Sequence, residues 1–521
     1  MKKYHYILLA ASSFLIASCN DFLTEEPASI ITEEQYYKTE TDALTAINAV
    51  YFFLNTARVQ SPYNTLLNTG MNMGSDDEDP GPGATNPDVR SLAVQSHSSS
   101  NLRVYELWQQ HYAAIRKANV VLNKVPDITF SIPANKDRIL GEAKFLRALF
   151  YFNLVRLYGD VPLVTEYQNF VSSADYAIAK SPSADVYAQI EKDLTEAAAV
   201  LPVSYSSPDV GRATSGAAKA LLAKVYLIKA SLPLKLTENY QKAIAKTEEV
   251  LSAADGGTGT YNYGLISDYS RVFLPAYKNG TEHIFSAQMK GNSYSQGNNE
   301  TSRAIFSAIP GLTGNYAHMV RFYTEGNDKS FSIYKLFKAT DKRRDVTFVR
   351  SFTSPANGRK YGLPIVNTAV PNDSTPFWNK WWDPNNLAVT TNSEANVPII
   401  RYAELLLIHA EAENEVNGPT AKAYKSINKV RTRAGLADLT SGLSKDQFRD
   451  SVYFERRLEL TYEYQRWFDL IREKDAAGNG ILIKSLQKVG KNNVAEKHYL
   501  YPIPQTEIDN NPLLVQNPLW K

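Results

Sequence analysis

The chain has 521 residues, and its 56 basic against 54 acidic side chains leave a formal net charge of +2. That balance gives no reason to propose a nucleic acid as partner, and a single cysteine excludes an internal disulfide. About 500 residues exceed what one compact core usually supports, so a large domain with a substantial insertion is expected.

At the N-terminus, Lys2 and Lys3 precede an apolar stretch, Tyr6 to Ala17, too short to persist as a membrane span. Residues 1–18 therefore read as a secretory signal. It ends Ile16-Ala17-Ser18-Cys19, the pattern of a bacterial lipobox, which makes Cys19 the predicted lipidation site and the mature N-terminus. Two or three acyl chains anchor firmly where one binds only marginally. Residues 19–31 are polar and read as a tether.

Thr32 to Leu54 is predicted to be helical, with Thr32 and Gln35 in a capping-box pattern and Thr41-Asp42 opening a second run through Ala46, Val50 and Phe53. Residues 62–101 then break into Gly, Pro, Asn, Ser and Asp without a sustained period, and are expected to form a long functional loop. Its acidic cluster, Asp76-Asp77-Glu78-Asp79, has three readings: a solvated turn, ligands for a hard cation such as calcium, or acceptors for ligand hydroxyls. It lacks the EF-hand pattern, so no metal ligand is assigned. Asp76, Asp77 and Asn86 stand as candidate polar contacts to a ligand.

Asn101 to Val125 is a predicted helix with Trp108, Tyr112, Ile115 and Asn119 along one face. Its expected partner is the stretch Gly141 to Leu163, GEAKFLRALFYFNLVRLYGDVPL, apolar around so much of its circumference that it must be buried. Gly159 supplies a left-handed cap and Pro162 forbids further helix. This run resembles the signature helix of the RagB/SusD family of outer-membrane nutrient-binding lipoproteins through Glu142, Ala143, Phe145, Leu146, Arg147, Ala148, Tyr151, Phe152, Leu154 and the Tyr158-Gly159-Asp160-Val161-Pro162-Leu163 segment. The phrase DFLTEEP near the start, and VRTRAGL, ERRLELTYEYQRWFDLIR and YPIPQTEIDNNP towards the end, resemble family segments in the expected order. The resemblance covers nearly the whole chain.

It implies a lipid-anchored protein on the outer membrane, facing the exterior, that captures an oligosaccharide without enzymatic action and without a cofactor. It implies delivery to a SusC-like TonB-dependent transporter. Other cargo, such as a peptide or another nutrient, is the alternative among binding proteins, and a surface glycoside hydrolase is the alternative among enzymes.

The remaining helices come in pairs: Ala184 to Leu201 with Ala213 to Ser231, then Glu238 to Ala253. ALLAKVYLIKA with YQKAIAK is echoed by AELLLIHAEA with YKSINKV, two helical hairpins at a period near that of tetratricopeptide repeats. The expected fold is mainly α: a tetratricopeptide-like hairpin scaffold of residues 32–255 and 397–521, with long irregular loops. Residues 256–396 are rich in Gly, Asn, Ser and aromatics, and read as a second sub-lobe with small strands at Ile284 to Ala287 and Ile333 to Phe337. That sub-lobe is the expected ligand region.

Within it, Tyr294 beside Asn292, Tyr316, and Trp378 of TPFWNKWW are the candidate ligand-binding residues, because such rings match the C–H face of a pyranose while amides orient its hydroxyls. Trp381 and Trp382 resemble family scaffold, and Trp108 and Trp467 follow helical periods and belong to the core. His409 and Glu413 share a helix face, but the HExxH pattern and a third ligand are lacking. Glu411 and Glu415 are expected to solvate an exposed face, and in the predicted helix Glu455 to Arg472 the pairs Glu463/Arg466 and Asp469/Arg472 are expected on the surface. No nucleophile elbow, phosphate loop or dinucleotide fingerprint occurs, and no catalytic residue is assigned.

Overall fold

The computed structural model describes residues 36–56, 60–167, 177–291, 296–304, 310–362, 376–383 and 393–521. Its main helices are α1 (Glu40–Asn55), α2 (Pro87–Ala93), α3 (Leu102–Lys124), α4 (Pro133–Tyr158), α5 (Ser183–Val200) and α6 (Ser215–Ala230). They continue as α7 (Asn239–Val250), α8 (Tyr402–Asn417), α9 (Ala421–Arg433), α10 (Lys445–Glu459), α11 (Arg466–Arg472) and α12 (Leu482–Lys488). From α3 to α9 each helix packs on the next, and α8 also meets α10. This is the stacked-hairpin scaffold expected from the internal echo, because each helix buries one side on its predecessor and another on its successor.

Helix α4 is the spine. From Phe145 to Tyr158 every side chain is buried, and the polar ones find internal partners save for Nη1 of Arg156. Arg147 donates two hydrogen bonds to Asp193 of α5, at 2.8 and 2.7 Å, and others to Asn119 Oδ1 and Thr165 O. Close approach to α5 requires Gly141, where a Cβ would stand 2.7 Å from Val200 Cγ2. The helix stops at Gly159, whose φ of 75° suits glycine and whose N–H still reaches Val155 O.

At the start of α1, Thr39 rather than Thr41 is the cap, in a reciprocal capping box with Asp42. The segment Glu455 to Arg472 is not one helix. Tyr462 and Tyr464, both left-handed with φ near 60°, reverse the chain between α10 and α11.

The sub-lobe is built from short antiparallel pairs. Strand β1 (Glu78–Pro80) pairs with β3 (His318–Val320), setting Glu78 opposite Val320 and Pro80 opposite His318. Strand β2 (His283–Ala287) pairs with β10 (Val397–Arg401), which joins the sub-lobe to the base of α8. The hairpin β4 (Tyr323–Glu325) with β5 (Asp328–Phe331) and the pairs β6 (Phe348–Val349) with β9 (Phe377–Trp378) and β7 (Ser351–Thr353) with β8 (Lys360–Gly362) complete it. Ile284 to Ala287 is thus a strand as expected. Ile333 to Phe337 is instead one helical turn, Ile333–Leu336, with Ile333 and Phe337 both buried.

Residues 62–101 also differ from the expected loop. They fold into short helical turns, β1 and α2, and most of their side chains are buried. Asn64 donates to Asn55 O and Gly297 O, and the ammonium of Lys491 donates to the carbonyls of Met73, Ser75 and Glu78. Polar side chains are abundant here because irregular backbone inside a protein needs them as partners.

Candidate functional site

Two ring candidates turn out to be core. Trp378 is 1% exposed, stacked on Tyr462 and leaning on Phe348, and Tyr316 is 3% exposed and stacked on Phe377 at 4.6 Å. Neither ring is open to a sugar. In a region short of large aliphatic residues, aromatic rings become the core themselves: Leu312, Tyr316, Phe352 and Phe377 form its apolar centre. Trp108, Trp381 and Trp467 are buried, and Trp382 is half-buried against Phe352. Tyr294, Asn292 and Cys19 lie outside the described residues.

The polar candidates of residues 62–101 are engaged within the protein. Arg466 donates to both carboxylate oxygens of Asp76 at 2.8 Å, and Arg457 binds Asp77. Burial pushes both carboxyls up, yet the two guanidiniums outweigh it at Asp76 and hold that group well below the usual carboxylate range; Asp77 stays raised. Asp79 meets Arg321 and Lys491, while Glu78 meets Asn72 and His318. Asn86 accepts from the backbone of Asp88 and Val89 as the cap of α2. These groups therefore act as internal ties, not as a calcium turn or an open contact loop. His409 Nδ1 meets Ser426 Oγ, Glu413 accepts from Asn417 and Thr420, and among the described residues no three His, Cys, Asp or Glu side chains are grouped to hold a metal ion.

The charges expected on the surface are internal as well. Glu411 is fully buried and accepts from Arg472, and Glu415 is held by Arg449 and Lys474. Glu463 pairs with Arg401 and Lys380 instead of Arg466, and Asp469 does pair with Arg472, but inside. Glu459 sits among Arg343, Arg401 and Arg433; burial pushes its carboxyl up, and the three guanidiniums reverse that and hold it far down. Spacing along one helix revealed only the i,i+3 neighbours, whereas these partners come from segments far apart in sequence.

A cleft of about 1110 Å³ opens elsewhere, between the C-terminal end of α4, the start of α5, the turn after α6, helices α11 and α12, and the C-terminal tail. The tail is fixed to α4: Tyr501 N donates to Leu157 O at 2.7 Å, and Asn517 Nδ2 donates to the carbonyls of Tyr158 and Tyr501. Asn517 Oδ1 accepts from Lys180, and the indole N–H of Trp520 donates to the carbonyls of Lys497 and Leu500. Pro233, Leu234, Ile483, Tyr499 and Leu500 supply apolar wall, and Lys235, Lys484 and Lys497 stand among the polar lining. Of the described residues singled out as ligand contacts from the sequence, Asp76, Asp77, Asn86, Tyr316 and Trp378, none lines it. The signal that could have pointed here was weak: YGDVPL and the tail near Tyr501 each resemble family segments, but nothing in sequence shows that they face one another.

Comparison with known proteins fits this architecture. A family model described as SusD family matches residues 249–520, and one described as starch-binding, associating with the outer membrane, matches residues 22–227. SusD-like protein P2 of Formosa agariphila is 29% identical over 99% of both chains. A SusD homolog from Bacteroides thetaiotaomicron superposes with a TM-score of 0.77 at 25% identity, covering 94% of this chain and 99% of its own. A solved laminarin binding SusD-like protein gives a TM-score of 0.72 at 27% identity, covering 92% of this chain and 100% of its own. With the hairpin scaffold, the buried signature helix and a family model over more than half its length, the chain belongs to the SusD family.

Proposed function

We propose that this protein is a lipid-anchored outer-membrane receptor that captures an oligosaccharide without cleaving it and passes it to a TonB-dependent transporter. The observation that carries the reading is the likeness, over 92% of the chain, to a relative described as laminarin binding. The lipobox ending on Cys19 supports the anchor, and among the described residues no helix is long and apolar enough to cross a membrane. Carboxylates locked in ion pairs, such as Glu459 and Asp76, suit a scaffold, whereas a glycosidase needs a pair poised across a cleft with one proton to give. Within this reading Tyr294 and Asn292 are the sugar contacts to test first.

Isothermal titration of the purified protein against a panel of neutral oligosaccharides, with reducing ends measured in parallel, tests it. Saturable binding without new reducing ends is expected, and Tyr294→Ala should weaken it by about 1–3 kcal/mol. Sustained release of reducing ends, or no binding across the panel, would sink the capture reading. Co-purification of a TonB-dependent transporter with the anchored protein tests the hand-over; its absence from outer-membrane extracts would remove that part.

A further inference from the structure

The tail cleft borders a charge that the fold compensates only in part. Arg156 is 7% exposed, its guanidinium lies 3.5 Å from the Phe468 ring centroid, and its Nη1 has no hydrogen-bond partner among the described residues. No described carboxylate stands within 4.0 Å of it. Burial lowers its pKa only to about 10, so it is cationic at neutral pH. Behind it lies a void of about 10 Å³, room for no more than one water. Arg156 Nε and Nη2 donate to Phe152 O and Asn153 Oδ1, and the acids that act on it, Glu404 and Asp469, stand beyond 4.0 Å, so this costly buried charge is compensated only in part, and the residue borders the cleft.

The rim repeats the pattern. Lys180, Lys235, Lys484 and Lys497 line the same cleft, and none of them has a described carboxylate within 4.0 Å. Of the facing acids, Asp160 accepts Ser183 N and Asp475 accepts the N–H groups of Ala477 and Asn479, so backbone dipoles already compensate both. Glu496 is the third. Leaving aside Arg472, which Glu411 and Asp469 neutralise, and the terminal Lys521, five cations against three carboxylates, two of them hydrogen-bonded to backbone N–H groups, leave a positive field, and the low-dielectric apolar walls focus it.

We propose that this cleft is a binding site for an acidic oligosaccharide, one whose sugars carry carboxylate or sulfate groups. The volume exceeds what a single sugar fills. The walls of Leu234, Ile483 and Tyr499 suit the C–H faces of pyranose rings, while separate lysines around the rim suit anionic groups spaced along a chain. The inference rests on the capture reading for the kind of ligand and on the cleft for its charge.

The test is isothermal titration of the full chain with trigalacturonate, a sulfated carrageenan tetrasaccharide, neutral laminaritetraose and hexaglutamate. The carboxylated and sulfated arms separate the two sources of negative charge. At least one acidic sugar should bind and lose about tenfold in affinity between about 50 and 500 mM salt. The double variant Lys235→Gln/Lys484→Gln, both exposed side chains, should weaken that sugar about tenfold and leave laminaritetraose unchanged. If laminaritetraose binds while both acidic sugars fail, or if they bind the double variant undiminished, the cleft assignment is overturned and the capture reading stands. If no sugar binds, both fall. Hexaglutamate binding more tightly than either sugar, with the same loss in the double variant, would make the cleft a site for acidic peptide and overturn the proposal.

Discussion

The indole of Trp378 lies parallel to the ring of Tyr462, with centroids 4.6 Å apart and planes 7° apart, and Phe348 lies 5.2 Å away at 28°. Strand β9 supplies the tryptophan and the left-handed reversal after α10 supplies the tyrosine, so one stack joins the sub-lobe to the helical scaffold. Trp378→Ala is expected to cost about 3–5 kcal/mol in urea unfolding. Trp378→Phe should retain most of that stability, because it keeps a stacked ring and removes a buried Nε1–H that has no partner among the described residues. Equal stability of the alanine variant and wild type would show that the stack contributes nothing.

Phe152→Ala is expected to lower stability by about 3–5 kcal/mol through a cavity in α4. The ring is 1% exposed and carries the Arg156 guanidinium 3.9 Å from its centroid, so the variant also loosens that cation. Thermal melts unchanged from wild type would remove α4 from its central place.

Glu459→Gln should be among the most damaging single changes. It keeps the shape but removes the anion shared by Arg343, Arg401 and Arg433, and breaking a buried ion pair by removing one partner costs about 3–5 kcal/mol. Chemical denaturation measures it; a loss below about 1 kcal/mol would mean that Glu282, Glu455 and Glu463, which already pair with these arginines, suffice to hold them.

Stability is expected to depend on pH from both sides. Burial raises the Asp469 carboxyl, but Arg456 and Arg472 outweigh it and hold it at about 2, below its ordinary 3.8. A carboxyl held lower in the folded state contributes stability above its unfolded pKa, lost as pH falls through about 4 towards 2. Glu473 acts in the opposite sense: burial, then the neighbouring Asp469, push it from 4.5 up to about 8, so its contribution is complete below 4.5 and disappears as pH rises through about 8. Melting temperatures across this range should peak between the two limbs. Asp469→Asn should flatten the acid limb and Glu473→Gln the upper one; limbs unchanged in both variants would assign the pH response to other groups.

Cys19→Ala is expected to leave a folded protein that no longer sediments with membranes, because the acyl chains are the proposed anchor. The measurement is fractionation of cells lacking the transporter partner. Continued membrane association there would remove the lipobox reading.

The helical half of the molecule was legible because its signals are local. Phe145, Leu149 and Phe152 recur at helical spacing, Gly159 and Pro162 end the run, and the hairpin echo between Ala220 and Ala403 marks equivalent helices. The site was not legible in the same way. Tyr316 and Trp378 sit among Asn, Gly and Pro, a texture that reads as a wet loop; whether a ring there faces solvent or Phe377 depends on strand pairing that no window of sequence contains. Asp76 and Asp77 read as a solvated turn for the same reason, since their arginines lie about 380 to 390 residues away. The tail cleft is a further case, formed where Leu157 and Tyr158 meet Tyr501 and Asn517.

Those last contacts bear on when the molecule can finish folding. The end of α4 is held by Tyr501 and Asn517, and the carbonyls of Met73, Ser75 and Glu78 are held by Lys491. Segments near the start of the chain thus wait for partners made last, and such high contact order slows closure. A growing polypeptide can form α3 and α4 early, yet it cannot lock them until residue 517 has arrived. With the export signal proposed at residues 1–18 this delay is useful, because a chain that cannot close during synthesis remains threadable through a narrow translocation channel and completes its structure on the far side.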